Sequence, residues 1–390
     1  MSKLSLVPAD SFFFKGHLTT ELGTPSHLVG LFPPRPNTVY GALRAAYIHR
    51  HSTFAEFRRG KGGPVKQWMG TPASYGAFRQ RAILLAKNRD YLLPLPLDYN
   101  FYRLKNSDAG TWRALPLHLE PNSSASSAGV SWTLGLPDRE KTAGKTASPG
   151  GRYLRLEDWK AGVLQQQSFS AILSLEDDII NDYAKTGIAI GRDSRTAERS
   201  YFYQMNMMNL KADCALVALS EPCPDFSEVP LVSLGGENRP WFLSQETNDW
   251  KLWSEEQLEE IKSQLQRTPI ARIILLTPAL WPNNLSFLLD LQTEGEIWQL
   301  TPDIEVEPIT WATARPELYG GWDIVRHRPK PRQWMMPAGT VIYVKIREND
   351  ISPILALADG FTLFADQEEC SGMEGFGFAV IAGIKESNQY

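Results

Sequence analysis

Apolar positions along the chain change period repeatedly, and each change marks an element. In SFFFKGHL the run Phe12, Phe13, Phe14 is too continuous for an edge facing water, so the segment reads as a strand. In FPPRPNTVYGALRAAYIHR the prolines impose an extended lead-in, Asn37 or Thr38 can cap a helix, and Val39, Leu43, Ala46 and Tyr47 recur on one helical stripe. Tyr40 and Arg44 then lie one turn apart near the helix start, where free backbone N–H groups favour an anion. Further on, Tyr201, Tyr203, Met205 and Met207 alternate with Phe202, Gln204 and Asn206, the pattern of a strand, and Arg192, Arg195 and Arg199 are spaced through the loop before it. Ser254 with Gln257 makes a capping box for SEEQLEEIKSQLQ, whose buried stripe is Leu258, Ile261 and Leu265. ARIILLTPAL reads as a buried strand. Phe376, Phe378, Val380 and Ile381 read as the last one, reached through the glycine-rich loop GMEGFG.

Residues 58–153 break this rhythm. RRGKGGPVK, RLKNSDAG, PNSSASSAG and GKTASPGG are polar, Gly/Ser-rich stretches around shorter apolar pieces, and they read as an insertion with mobile loops rather than core. The whole is α+β. Strands alternating with single long helices suggest two ferredoxin-like units: residues 1–228 with the insertion at about 58–153, and residues 229–390 ending in the glycine-rich loop.

At 390 residues the chain is long enough for two cores. It has no apolar run of membrane length and no signal-peptide pattern, so a cytoplasmic location is expected. The three cysteines, Cys214, Cys223 and Cys370, have neither disulfide-framework nor metal spacing. The net charge of −4 is unevenly spread: residues 1–120 carry 16 basic against 7 acidic side chains, the remainder 24 against 37. A basic part beside an acidic one is expected where one surface meets a polyanion and another faces solvent or protein.

Candidate chemistry is sparse. Gly144-Lys145-Thr146 lacks the earlier glycine of a phosphate-binding loop, Arg139 standing there, and the only close histidine pair, His49 and His51, does not share a helix face. No metal or cofactor is expected. Lys15 and His17, on alternate strand positions and so on one face, supply a cation and a general base, the minimum for a metal-independent ribonuclease. Binding residues are more plentiful: cations interleaved with rings in FKGH, RRGKGGPVKQW and VRHRPKPRQW suit a single strand of RNA, phosphates on the cations and bases on the rings.

Taken in order, FPPRPNTVYGALRAA, GIAIGRDSRTA, LGGENR, LLTPA, YGGWD followed by PKP, PAGTVIYVK and GMEGFG resemble the subunit-three family of the Cmr complex, the type III-B CRISPR effector, within the RAMP superfamily. The resemblance covers nearly the whole chain except the insertion. It implies RRM-like ferredoxin folds and a non-catalytic subunit that caps the foot of the effector filament and holds the 5′ tag of the crRNA. The partners it implies are the large polymerase-like subunit and the first backbone subunit. The residues it carries over are Arg35, Asn37, Tyr40 and Arg44 around the first helix, Arg192, Arg195 and Arg199 in the arginine loop, and Gly372, Gly375 and Gly377 in the closing loop, lying against the RNA backbone. Phe376 either stacks on a base or fills the core, and Glu237 with Arg239 reads as a structural pair between domains. Related RAMP proteins cleave CRISPR repeats, so an RNA-processing endoribonuclease working through His17 is the alternative.

Overall fold

The computed structural model describes residues 1–16, 26–28, 30–60, 63–103, 112–122, 131–136, 145–147, 149–190, 197–247, 249–282, 297–301, 304–320, 322–323, 328–347, 350–365 and 371–385. The chain is α+β and groups into two interleaved units. Unit 1 comprises Met1–Arg89, Leu175–Asn248 and Tyr319–Arg332; unit 2 comprises Asp90–Ser174, Asp249–Leu318 and Gln333–Tyr390.

Unit 1 is built on an antiparallel sheet that begins earlier than the phenylalanine run. KLSLV alternates, and β1 (Ser2–Pro8) buries Leu4 and Leu6 on one face. The 16-residue helix α1 (Pro36–His51) follows, then β2 (Gln80–Lys87). A long ribbon, β3 (Ile180–Ile190) and β4 (Ala197–Leu210), precedes β5 (Cys214–Ser220), β6 (Leu231–Ser233) and β7 (Pro240–Thr247). The sheet order is β2-β5-β1-β7-β6, with neighbours antiparallel. Phe12, Phe13 and Phe14 are buried as expected, yet they form an extended segment held by isolated bridges rather than a strand. Helix α1 starts at Pro36 with Arg35 at the N-cap and no side-chain cap, so neither Asn37 nor Thr38 caps it; proline at the first helical position supplies the preset φ instead. Val39, Leu43 and Tyr47 form its buried stripe, joined by Tyr40 and Ile48, while Ala46, expected in the stripe, is only half-buried.

In unit 2, helix α2 (Glu255–Arg267) has the expected capping box, Ser254 accepting from the Gln257 backbone and Gln257 reaching back. It leads into β8 (Ile270–Leu275), the centre of a sheet completed by β9 (Ile304–Ala312), β10 (Val341–Ile346) and β11 (Phe378–Gly383) in the order β9-β10-β8-β11, with the short strands Trp298–Thr301 and Phe361–Thr362 outside.

The segment read as insertion loops is in good part core. Leu84 and Leu85 of β2, and Leu92, Leu93, Leu95, Tyr99 and Phe101 beyond it, are buried, and residues 90–174 group with the C-terminal strands in unit 2. One buried ion pair ties part of this segment to β8. Arg272, inside β8, donates to Asp98 Oδ2 from Nε and Nη2 at 2.9 and 2.7 Å and to the Val163 carbonyl at 2.9 Å, while Tyr343 Oη donates to the same Asp98 oxygen at 2.9 Å. Arg272 and Asp98 are 0% and 1% exposed. Two desolvated charges persist only when each is paired, so Asp98 is held against β8. Burial and the Asp98 carboxylate push the Tyr343 phenol well above its ordinary range, leaving it a neutral donor.

No helix among the described residues is long and apolar enough to cross a membrane.

Candidate nucleic-acid interface

The sequence-predicted residues separate into three places. The first, in unit 1, is a platform on the β3–β4 ribbon. The phenylalanine segment is tied to β4 by a reciprocal pair, Phe12 N to Met208 O and Met208 N to Phe12 O, both 2.8 Å. Leu31 N then donates to Phe14 O at 2.9 Å, and Lys15 sits opposite Gly30. Rings lock this crossing: Phe12 lies 5.4 Å from Phe32 and 4.9 Å from Trp241, centroid to centroid. Gly30 has no room for a side chain, since a Cβ there would stand 2.7 Å from the Met208 methyl and 3.2 Å from the Asn206 carbonyl. The strand Ser26–Leu28 runs parallel to β4, from Ser26 beside Tyr203 to Leu28 beside Met205. The segments before and after residues 17–25 are therefore pinned side by side, with Lys15 exposed on one and Arg35 four residues beyond Leu31 on the other. His17 lies outside the described residues, so the proposed pair with Lys15 has no geometry.

The ribbon pairs from Ile180 opposite Leu210 to Ile190 opposite Ala197, with a register shift near its end. Arg192 and Arg195 fall in 191–196, outside the described residues; the backbone of Arg199 is on β4. The middle of the ribbon is fastened by charge. Lys185 meets Glu237 at 3.1 Å, and Arg239 meets Glu237 at 2.6 Å and Asp10 at 3.3 Å. The hydrogen bonds from Arg239 and Lys185 hold the Glu237 carboxyl below the usual carboxylate range. The Glu237–Arg239 pair expected between domains thus works inside unit 1.

The second place is the underside of α1, where two predicted RNA contacts are structural. Tyr40 is 2% exposed and stacks on Phe78, centroids 5.2 Å apart and planes 6° from parallel. Arg44 donates from Nε to the Met69 carbonyl at 2.8 Å and from Nη2 to the Thr71 carbonyl at 2.6 Å, with its guanidinium 5.2 Å over the Phe57 ring. Its Nε and Nη2 hold the C-terminal end of the short helix Pro64–Met69 and the turn after it, and those donors are not offered to a phosphate. Asn37 differs: its Oδ1, in the first turn of α1 and two residues from Arg35, is buried and meets no hydrogen-bond partner.

The third place is the closing loop, in unit 2. Gly372, Gly375, Phe376 and Gly377 are all buried. Phe376 is 0% exposed, so the ring fills the core and does not stack on a base. Gly375 and Gly377 have φ of +94° and +73°, which favours glycine. A Cβ on Gly377 would lie 3.0 Å from the Leu363 carbonyl and one on Gly372 2.9 Å from the Thr362 methyl. The close approach that these glycines permit is to residues 362–363, and Gly377 N donates to the Pro278 carbonyl at 2.9 Å. The loop is a turn that serves the fold. Its glycine spacing does not distinguish approach to a ligand from approach to the chain itself.

Among the described residues no group of His, Cys, Asp or Glu is arranged to hold a metal ion.

No curated protein matches the sequence. Among solved structures, a chain of a type III-B Cmr-beta complex bound to cognate target RNA and AMPPnP is 17% identical at a TM-score of 0.46, with 87% of this chain and 86% of that chain covered. A chain of Cmr-beta bound to cognate target RNA is 15% identical at 0.47, with 87% and 86% covered. A chain of the Csm3–Csm4 subcomplex of a type III-A CRISPR-Cas interference complex is 11% identical at 0.39, with 99% and 100% covered. The model of the family described as CRISPR-associated protein (Cas_Cmr3) matches residues 4–384, nearly the whole length, and the chain belongs to that family.

Proposed function

We propose that the chain is a non-catalytic RNA-binding subunit of a type III-B CRISPR effector, holding the 5′ tag of the crRNA on the platform of unit 1. The observation that carries this reading is the pinned crossing of residues 12–15 and 30–35 against the β3–β4 ribbon. It brings exposed Lys15 and the Arg35 lead-in into one unit with a ribbon whose two strands are joined in sequence by a segment containing Arg192 and Arg195. Cations on a rigid crossing fix a backbone. Family membership supports the assembly, with the large polymerase-like subunit and the first backbone subunit as neighbours.

The strand orders support two ferredoxin-like halves. With α1 between first and second strands, β2-β5-β1-β7 is the order second, third, first, fourth; β9-β10-β8-β11 repeats it, with the helix Ser352–Ala356 between third and fourth. On this reading the halves meet after residue 248 rather than at 228, because β7 completes the first sheet.

The test mixes the purified chain with labelled RNA carrying a repeat tag of about 8 nucleotides, the scale one small single-strand-binding fold accommodates. A scrambled RNA is the control, and binding and cleavage are followed together in EDTA. Tag-preferring binding without cleavage is expected. Cleavage that disappears in His17→Ala would make the chain an endoribonuclease instead.

A further inference from the structure

The sheet of unit 1 carries on its outward face an apolar row that the described residues leave largely exposed. Leu231 on β6 is the register partner of Phe242 on β7, which in turn is the partner of Val7 on β1. These three side chains are 49%, 56% and 42% exposed, whereas Leu4, Leu6, Val232 and Trp241 on the opposite face are buried. Alternation sets Ser5, Ser244 and Ser233 on the same face as the row, so it stands above a floor of small hydroxyls. A single exposed phenylalanine is ordinary; three apolar side chains aligned across three strands mark a contact.

Among the described residues β6 is the outermost strand, and the row runs out to that edge. Leu243 N donates to Pro230 O, and Leu234 N donates to Arg239 O. Because the antiparallel ladder alternates, the N–H and C=O groups of Leu231 and Ser233 point away from β7. The charges beside the row do not suit a nucleic acid. Lys3 is held by Glu246, Arg239 by Asp10 and Glu237, and Lys185 by Glu237, so three cations match three carboxylates. The most exposed of these groups are the carboxylates of Glu246 and Asp10, at 64% and 68%, which favours a basic segment over a polyanion.

We infer that the β6 edge and the Leu231–Phe242–Val7 row dock an extended segment of a partner protein, which adds a strand beside β6 and seats an apolar side chain on Phe242, with basic residues toward Asp10 or Glu246. Main-chain pairing would supply affinity and the row would supply specificity. The inference rests on the reading that the chain works inside a multi-protein assembly.

The test uses the full chain co-expressed with the other subunits of its effector complex, with Phe242 replaced by the photocrosslinker p-benzoylphenylalanine. Irradiation is expected to give a nuclease-resistant adduct with an extended segment of another subunit. Phe242→Asp combined with Leu231→Asp should lower incorporation into the complex at least about tenfold, as loss of a central aromatic anchor does. Ser233→Pro removes one outward N–H while leaving the β7 ladder intact, and it should lower incorporation as well. Unchanged thermal unfolding and unchanged tag-RNA binding of the isolated variants exclude misfolding. An adduct with RNA, no adduct, or normal incorporation of all variants would overturn the inference. A protein adduct from a chain that fails to bind tag RNA would refute the RNA reading and leave this one standing; tag binding without an adduct would do the reverse.

Discussion

Arg44→Ala separates a structural role from RNA contact. The side chain makes two short charge-assisted bonds, to the carbonyls of Met69 and Thr71, and covers the Phe57 ring. A hydrogen bond to a charged group contributes about 1.5–3 kcal/mol when buried. The site is only half-buried, which argues for the low end, and the cation–π contact adds about 0.5–1 kcal/mol. Truncation also leaves two carbonyls to find water. The sum is about 3–4 kcal/mol from unit 1. With a urea slope of about 3 kcal/mol/M, the transition that reports on unit 1 should move to lower denaturant by about 1 M at unchanged slope. Arg44→Lys should recover only part, because an ammonium cannot reproduce the fork. Below the transition, tag binding by the folded variant should match the parent at every salt concentration. An unmoved midpoint together with weaker binding and a flatter salt slope would refute the reasoning and return Arg44 to the RNA surface.

Other outcomes follow from the same geometry. Asp98→Ala strands the Arg272 charge in the core and should cost about 3–5 kcal/mol, while the double variant Asp98→Leu with Arg272→Met should recover much of that loss, as thermal unfolding would record. Phe376→Ala should cost about 3–5 kcal/mol by opening a cavity and leave the salt slope of RNA binding unchanged; a changed slope at full stability would restore the ring to the interface. Glu237 has a carboxyl held below its ordinary value of 4.5, so its contribution is present above that pH and fades as pH falls through the lowered value. The protection factors of amides around residues 235–239, referred to the intrinsic exchange rate at each pH, should therefore fall at acid pH in the parent. In Glu237→Gln they should be low throughout, and equal pH profiles would count against the network.

Local signals in the sequence located local structure. The Ser254–Gln257 box and the Val39, Leu43, Tyr47 stripe each depend on residues within one or two turns, and both stand in the fold. KLSLV carries a legible alternation that the louder phenylalanine run concealed. What a pattern could not disclose was partnership at long range. Arg272 in ARIILL is unintelligible without Asp98, 174 residues away, and that pair joins the supposed insertion to the C-terminal sheet. The same limit explains the site. Arg44 and Tyr40 have the spacing of an anion site, yet their neighbours at 57, 69, 71 and 78 decide otherwise. An arginine's partners, rather than its position on a helix, determine whether its charge is available.

The central claim, that RNA lies on the unit 1 platform, is tested most directly by the salt dependence of tag binding for Lys15→Ala, Arg35→Ala and the double variant Arg192→Ala with Arg195→Ala. Each lost single-strand phosphate contact should flatten the slope of log K against log salt by about 0.7. All three variants are predicted to bind more weakly with flatter slopes, the double variant by about twice the single. Parental affinity and slope in all three would contradict the account and move the crRNA contact off this platform.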